Sequence, residues 1–349
     1  MTIHERYMYR CIELAEKGRG SVAPNPMVGA VLIYKDRIIG EGYHMHYGQA
    51  HAEVNCIRSV MKDDEPFISQ SVLYVSLEPC AHHGKTPPCA DLIIEKKIPL
   101  VVIGCRDPFK EVDGKGIEKL NKAGVETIVG VLEEECVHLN QRFFTFHLQH
   151  RPYIILKWAQ TANGKIANAD YSRVFISNQI TNRMVHKWRN EESSILIGTN
   201  TALYDDPQLT VREWEGINPI RLIIDMDLSL PETLKIFDRR VKTIVFNSIK
   251  HEEQNNLSYY QVTTDVELVH QVVHALYQLN IQSVIVEGGA KLLQSFIAEG
   301  VWDEARIITN EELIIRDGIP APVLDKGKLI CRENYFSDFI CYFKNPDFV

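Results

Sequence analysis

The sequence predicts two consecutive α/β domains. Three observations carry that reading. Strand and helix patterns alternate along the chain, the alternation starts afresh after Arg151-Pro152, and 349 residues exceed what one ordinary core takes up. The boundaries that follow are 1–147 for the first domain and 152–349 for the second.

In the first domain, Thr2 followed by Glu5 reads as a capping box opening a helix with Met8, Cys11, Ile12 and Ala15 on one face. VGAVLIY (28–34) and IIGEGY (38–43) flank Lys35-Asp36 and predict a hairpin. A short helix is expected from Ala52, with Ile57, Val60 and Met61 on its buried side. Strand VLYVSLE (72–78), a Pro/Gly-rich loop, a helix over 89–97 and strand LVVIGC (100–105) come next. IEKLNKAG and VETIVG add another helix and strand, and LEEECVHLNQRFFTFHLQH reads as helical.

In the second domain the strand candidates are YIILKWAQ, ILIG (195–198), IRLIID (220–225), TIVF (243–246) and SVIVE (283–287). Helices are expected over 178–191 and 266–280, and HEEQNN (251–256) reads as a polar loop. No G-x-G-x-x-G follows the first strand, so a Rossmann dinucleotide site is not supported.

Composition narrows the function. Hydrophobic residues at 45% and charged residues at 24% are those of a soluble globular chain rather than a disordered or membrane one. Charges run through MTIHERYMYRCIELAEKGRG, which does not read as a secretory signal. Eight cysteines without such a signal fit a reducing compartment, so a cytoplasmic enzyme is expected. A net charge of −8 argues against a nucleic-acid partner, and no apolar run is long enough to span a membrane. A small phosphorylated ligand needs only a local pocket.

Two short segments carry the strongest chemistry. One is Ala50-His51-Ala52-Glu53, the other Glu78-Pro79-Cys80 with Cys89 after eight intervening residues. Catalytic zinc takes three protein ligands and keeps a fourth position open. His51, Cys80 and Cys89 supply that set, and Glu53 is expected to move protons without ligating. The zinc-deaminase signature is H-x-E with P-C-x-x-C; here the second half is lengthened by AHHGKTPP. The alternative is that these are unrelated buried residues. Cys11, Cys56, Cys105 and Cys136 fit packing instead.

At LEPCAHHGKTPPCADLI, with APNPMVGAVLI, IIGEGYH and HAEV in the same order, the chain resembles the deaminase domain of the RibD family of bifunctional riboflavin-biosynthesis proteins. The resemblance implies a cytidine-deaminase-like three-layer fold. The implied substrate is a diaminopyrimidinone carrying a ribosylamino 5′-phosphate, hydrolysed at a ring amine. It also implies that Asn25 touches substrate and that His82, Lys85 and Thr86 line the pocket.

The second domain offers SVIVEGGAKLLQSF, a strand, two glycines and a helix. In order with IILKWAQTANGKIA, SRVFIS and ILIGTNTALYDDPQLTVR, it is similar to the same family's reductase domain, which has a dihydrofolate-reductase-like fold and uses NADPH. By position, Lys157 is expected near the reacting sugar. Ala159, Phe175, Thr201, Asp205 and the turn Gly289, Ala290, Lys291, Leu292, Leu293, Gln294 and Ser295 would face the cofactor. Arg173, Leu209, Arg212 and Glu287 would contact substrate. Ala162-Asn163-Gly164 and Phe175 stand where the family usually has Leu-Asp-Gly and tryptophan. These departures leave open a zinc deaminase whose second domain only binds ligand or builds an oligomer. The family implies a homo-oligomer.

Overall fold

The computed structural model describes residues 1–82, 87–110, 112–172 and 174–348. The chain divides into two compact units, Met1–His150 and Arg151–Val349.

The first unit runs α1 (Ile3–Glu16), β1 (Gly29–Tyr34), β2 (Arg37–Tyr43), α2 (Ala52–Arg58), β3 (Val72–Leu77), α3 (Cys89–Glu95), β4 (Leu100–Cys105), α4 (Lys115–Lys122), β5 (Glu126–Val129), α5 (Glu133–Leu139) and α6 (Gln141–Gln149). The capping box is formed: the Thr2 hydroxyl accepts the Glu5 N–H, and the Glu5 carboxylate accepts the Thr2 N–H. Lys35 and Asp36 both adopt left-handed φ, as a tight hairpin turn needs. The sheet order is β2-β1-β3-β4-β5, with β1 antiparallel to β2 and β3, and β3-β4-β5 parallel.

Both faces of this sheet are covered, which is why VGAVLIY is apolar without alternation. Ala30 and Leu32 pack with Cys56, Ile57, Ala90, Ile93 and Leu120 of α2, α3 and α4. Val31 and Ile33 point the other way, against Met8, Cys11 and Cys136 of α1 and α5. The result is three layers, and Cys11, Cys56, Cys105 and Cys136 are all buried in them.

Two local expectations change. Met61 is 74% exposed rather than buried. The helix ends at Arg58, where the Ser59 hydroxyl donates to the Cys56 carbonyl, so Met61 has left the apolar stripe. The run from 132 to 149 is two helices parted at Asn140. That side chain takes the Met27 N–H (2.8 Å) and donates to the Met27 carbonyl (2.9 Å).

The second unit runs β6 (Tyr153–Thr161), β7 (Lys165–Asn168), α7 (Gln179–Glu191), β8 (Ser194–Gly198), α8 (Thr199–Asp205), β9 (Ile220–Ile224), β10 (Thr243–Asn247), β11 (Glu252–Gln254), β12 (Leu257–Gln261), α9 (Leu268–Gln278), β13 (Ser283–Val286), α10 (Ala290–Ala298), β14 (Glu304–Asn310), β15 (Gly318–Pro320), β16 (Lys328–Tyr335) and β17 (Asp338–Lys344). Among the described residues its main sheet is ten-stranded, ordered β11-β12-β10-β9-β8-β13-β6-β14-β17-β16. The strands from β12 through β14 are parallel, with antiparallel strands at both edges. Apolar residues of α9 and α10 cover one face and those of α7 and α8 the other.

HEEQNN is not simply a loop. Glu252–Gln254 pairs with Leu257–Gln261 across a turn in which Asn256 is left-handed. An edge strand facing water can be fully polar, which hid it from a hydrophobic pattern. No helix among the described residues is long and apolar enough to cross a membrane.

Candidate active sites

In the first unit the sites for chemistry lie where α2 and α3 begin. His51 is the residue that caps α2, Cys80 follows β3, and Cys89 is the first residue of α3. Their ligand atoms all lie within 4.8 Å of one another. His51 Nδ1 is 3.4 Å from Cys89 Sγ and 3.6 Å from Cys80 Sγ. Ligands about 2.0–2.3 Å from a tetrahedral zinc stand roughly 3.5 Å apart, so donor type and spacing both fit zinc. The Cys89 N–H also points at Cys80 Sγ (3.4 Å). Cys80 is the easier thiol to ionise, pushed down to about 4 chiefly by its hydrogen bond from Cys89 and then by His51. The Cys89 thiol is held well above its usual range, first by that same hydrogen bond and then by burial.

Glu53, in the first turn of α2, is only 3% exposed. Burial first, and the Cys80 charge second, raise its carboxyl above the usual glutamate range. It also hydrogen-bonds the Cys89 side chain. A carboxyl that resists ionisation beside the metal ligands is suited to carrying a proton.

Two further residues were given no role from the sequence. His44 is 2% exposed. Its ring nitrogens lie 3.1 Å from the Asn25 amide nitrogen and 3.1 Å from the Ala50 carbonyl oxygen. With Asn25 donating to Nε2, the proton sits on Nδ1 and is given to Ala50. Burial keeps this ring neutral, with its pKa below the usual histidine value, and it meets His51 edge-on with centroids 5.4 Å apart. Glu78 is the other. Its carboxylate accepts the backbone N–H groups of Asp107, Gly114, Gly116 and Ile117 at 3.3, 3.0, 2.9 and 3.2 Å. It thereby ties the peptide leading to Cys80 onto the start of α4. The fit is close: a Cβ on Gly116 would meet the Pro79 carbonyl oxygen at 1.9 Å. The signal for both lay in the GYH and EPC segments, adjoining the motifs.

His82 is half-buried, and its Nδ1 is buried without a hydrogen-bond partner among the described residues. Lys85 and Thr86 lie outside the described residues, as does Arg173 in the second unit.

In the second unit, charged groups gather at the carboxyl end of β13, the kind of place where open α/β sheets bind ligands. Lys157 lies within β6, and Glu287 directly follows β13, whose Val286 pairs with Leu156. Lys157 Nζ is 3.5 Å from Glu287 Oε2, with both side chains nearly buried. Arg189 of α7 grips Glu287 through Nε to Oε1 and Nη2 to Oε2, both 2.8 Å. Burial pushes Glu287 up, but Arg189 and Lys157 overcome it and hold the carboxyl down at about 2. Burial lowers the Lys157 pKa, opposed by Glu287. Two cations around one carboxylate leave a positive, poorly solvated spot. Arg189 had a sequence signal, a charge beside buried Val185 and Trp188 on an amphipathic helix.

Thr201 of α8 presses against the Gly288-Gly289 turn. A Cβ on Gly288 would meet Thr201 and Ile197 at 2.9 Å, and Gly289 takes a left-handed φ. Ala290 opens α10. Leu293 packs into the core, Leu292 is half-buried, Lys291 is exposed, Gln294 accepts the Val323 N–H, and the Ser295 hydroxyl donates to the Lys291 carbonyl. Ala159 is half-buried, Asp205 is exposed at the end of α8, and Phe175 is 78% exposed. Buried Leu209 and exposed Arg212 line a cleft with Arg189, His186 and Asn182. Asn163 closes a turn. Its oxygen accepts from the Thr161 hydroxyl (2.7 Å) and the Ile315 N–H (3.3 Å), and its nitrogen donates to the Ile315 carbonyl (2.8 Å).

Known proteins resemble the chain over its whole length. Residues 1–105 match the cytidine and deoxycytidylate deaminase zinc-binding region, and residues 152–311 match the RibD C-terminal domain. The riboflavin biosynthesis protein RibD of Aquifex aeolicus is 37% identical, covering 98% of each chain. That of Bacillus amyloliquefaciens is also 37% identical, over 93% of this chain and 89% of its own. A solved structure from Thermotoga maritima, a diaminohydroxyphosphoribosylaminopyrimidine deaminase/5-amino-6-(5-phosphoribosylamino)uracil reductase, is 38% identical with a TM-score of 0.88, covering 98% of both chains. RibD of Acinetobacter baumannii is 30% identical with a TM-score of 0.89 over 98% of both.

Proposed function

The chain belongs to the RibD family of riboflavin-biosynthesis proteins, and on that premise we propose that its two units act in succession on one pyrimidine ribotide. It is a bifunctional enzyme, a zinc deaminase followed by an NADPH-dependent reductase. The first unit removes a ring amine from a diaminopyrimidinone carrying a ribosylamino 5′-phosphate. The second reduces the ribosyl chain of the product to ribityl. The observation that carries the reading is the meeting of His51, Cys80, Cys89 and buried Glu53 in a chain that continues into the reductase domain.

His51, Cys80 and Cys89 would hold zinc, which supplies Lewis acidity that brings water ionisation toward neutral pH. Glu53 takes the proton from the attacking water, gives it to the ring nitrogen and then carries one to departing ammonia. Asn25, held by His44, and His82 line the substrate side; for Lys85 and Thr86 the same role rests on the resemblance alone.

In the second unit NADPH supplies the hydride. Lys157 stands where it can stabilise the oxygen of the opened sugar, and Glu287 with Arg189 orients its ammonium. Ala159, Phe175, Thr201, Asp205 and residues 289–295 face the cofactor, while Arg173, Leu209 and Arg212 meet the ribotide. The working protein is a cytoplasmic homo-oligomer whose partners are small molecules rather than nucleic acid or membrane. The net charge of −8 supports the part of this reading that excludes a nucleic-acid partner.

The test supplies purified protein with the diaminopyrimidinone ribotide, first without NADPH and then with it. Ammonia appears in the first stage and NADPH is oxidised in the second. Ammonia without NADPH oxidation would reduce the second unit to a binding domain. Full activity in zinc-free protein would sink the deaminase mechanism.

A further inference from the structure

The segment between α8 and β9 carries Leu209 and Arg212 yet contains no strand or helix after residue 205. Its shape is set from outside by one face of α7. Asn182, His186, Arg189 and Asn190 recur at helical spacing, and each hydrogen-bonds this segment. Asn182 donates to the Glu213 carboxylate (3.1 Å to each oxygen). His186 Nδ1 accepts the Arg212 backbone N–H (3.1 Å), Arg189 Nη1 donates to the Thr210 carbonyl (3.4 Å), and Asn190 Oδ1 accepts the Ile217 N–H (2.8 Å). A Cβ on Gly216 would lie 1.8 Å from Asn190 Oδ1, so the segment runs directly against the helix.

We infer that His186 is a positioning residue of the reductase, fixing the Arg212 backbone and thereby the part of the ribotide subsite that Arg212 forms. The side chain is 1% exposed. A ring nitrogen that accepts a backbone N–H must be unprotonated, so the neutral ring carries its proton on Nε2, which faces Glu213 Oε1 at 4.0 Å. Burial, then Arg189 and Arg212, lower the His186 pKa, which keeps the acceptor available; Glu213 and Glu287 oppose this more weakly. The same helix face reaches Glu287 through Arg189, so one element holds both Glu287 and the segment that lines the cleft. An arginine on an irregular segment is placed only as well as its backbone is held.

This inference rests on the reductase reading. Wild-type protein that oxidises no NADPH with the deaminated ribotide would defeat that reading before any variant is made. Given an active wild type, His186→Leu keeps the apolar volume and removes the acceptor. It should raise KM for the deaminated ribotide about tenfold while leaving kcat within about twofold. His186→Asn places an amide oxygen near the Nδ1 position and should bring KM back to within about threefold of wild type. Ammonia release is unchanged in both. An unchanged KM in His186→Leu overturns the inference, as does His186→Asn failing to restore it. Should His186→Leu not fold, Asn190→Ala tests the same helix face. A raised KM at constant kcat supports the inference and an unchanged KM overturns it.

Discussion

The two units solve the problem of assembling a site in opposite ways. The first draws its proposed metal ligands and proton carrier from two short segments, one at the start of α2 and one running from the end of β3 to the start of α3. The second gathers Lys157, Arg189 and Glu287 from β6, α7 and the end of β13, across 130 residues of chain. Imidazole and thiolates at fixed spacing point to few chemistries besides metal binding. Lysine, arginine and glutamate occur everywhere, and only the fold makes them a cluster. A compact motif therefore announces itself, whereas a dispersed site becomes visible with the sheet register.

The comparison can be broken by finding that one site depends on the other. The largest effect expected is for Glu53→Gln, which should lower ammonia release by about 10²- to 10⁴-fold while zinc stays bound. NADPH oxidation with already deaminated ribotide should stay at the wild-type rate. A parallel fall in both activities would contradict separate sites.

The reciprocal change, Lys157→Met, should cut NADPH oxidation about 10²-fold and leave ammonia release intact. The pH profile sharpens this. Lys157 must be protonated to stabilise developing negative charge, and burial lowers its pKa from the usual 10.5. Reductase activity should thus fall with rising pH at a midpoint below that value. A midpoint at or above it would show that Lys157 is not the group responsible.

A smaller effect is expected where the first site is tied down. Gly116→Ala drives a Cβ into the Pro79 carbonyl and disturbs the Glu78 clasp. Zinc affinity, measured against a competing chelator, should fall about tenfold or more. Unchanged affinity would show that the clasp does not position Cys80.

The smallest effect belongs to Asn163. Asn163→Asp removes the donor to the Ile315 carbonyl and should destabilise the second unit by about 1–3 kcal/mol. Tryptophan emission reads that unit alone, because Trp158, Trp188, Trp214 and Trp302 all lie in it. An unchanged denaturation midpoint would mean that the turn is held by its other contacts.

How much the sequence revealed follows the same division. The hairpin at Lys35-Asp36, the parallel core strands and the meeting of His51, Cys80 and Cys89 are local or motif features. What stayed hidden depends on distant contacts. The break at Asn140 is fixed by Met27, 113 residues away. Strand β16, KLICRENY, is exposed along nearly its whole length and shows no buried alternation. The departure at Asn163 looked like the loss of a carboxylate. In the structure its amide spans both polar groups of Ile315, the nitrogen donating to the carbonyl and the oxygen accepting the N–H. Arg189 and His186 needed α7 to be placed beside the 206–217 segment before their partners could be seen.

The central claim, two successive chemistries in one chain, is tested most directly by one time course. Zinc-loaded enzyme is mixed with the diaminopyrimidinone ribotide and NADPH, and ammonia and NADPH are followed together. The account predicts that ammonia release leads, that NADPH oxidation lags behind it, and that the two reach equal amounts. NADPH oxidation that precedes ammonia, or ammonia release with no oxidation at all, would contradict it.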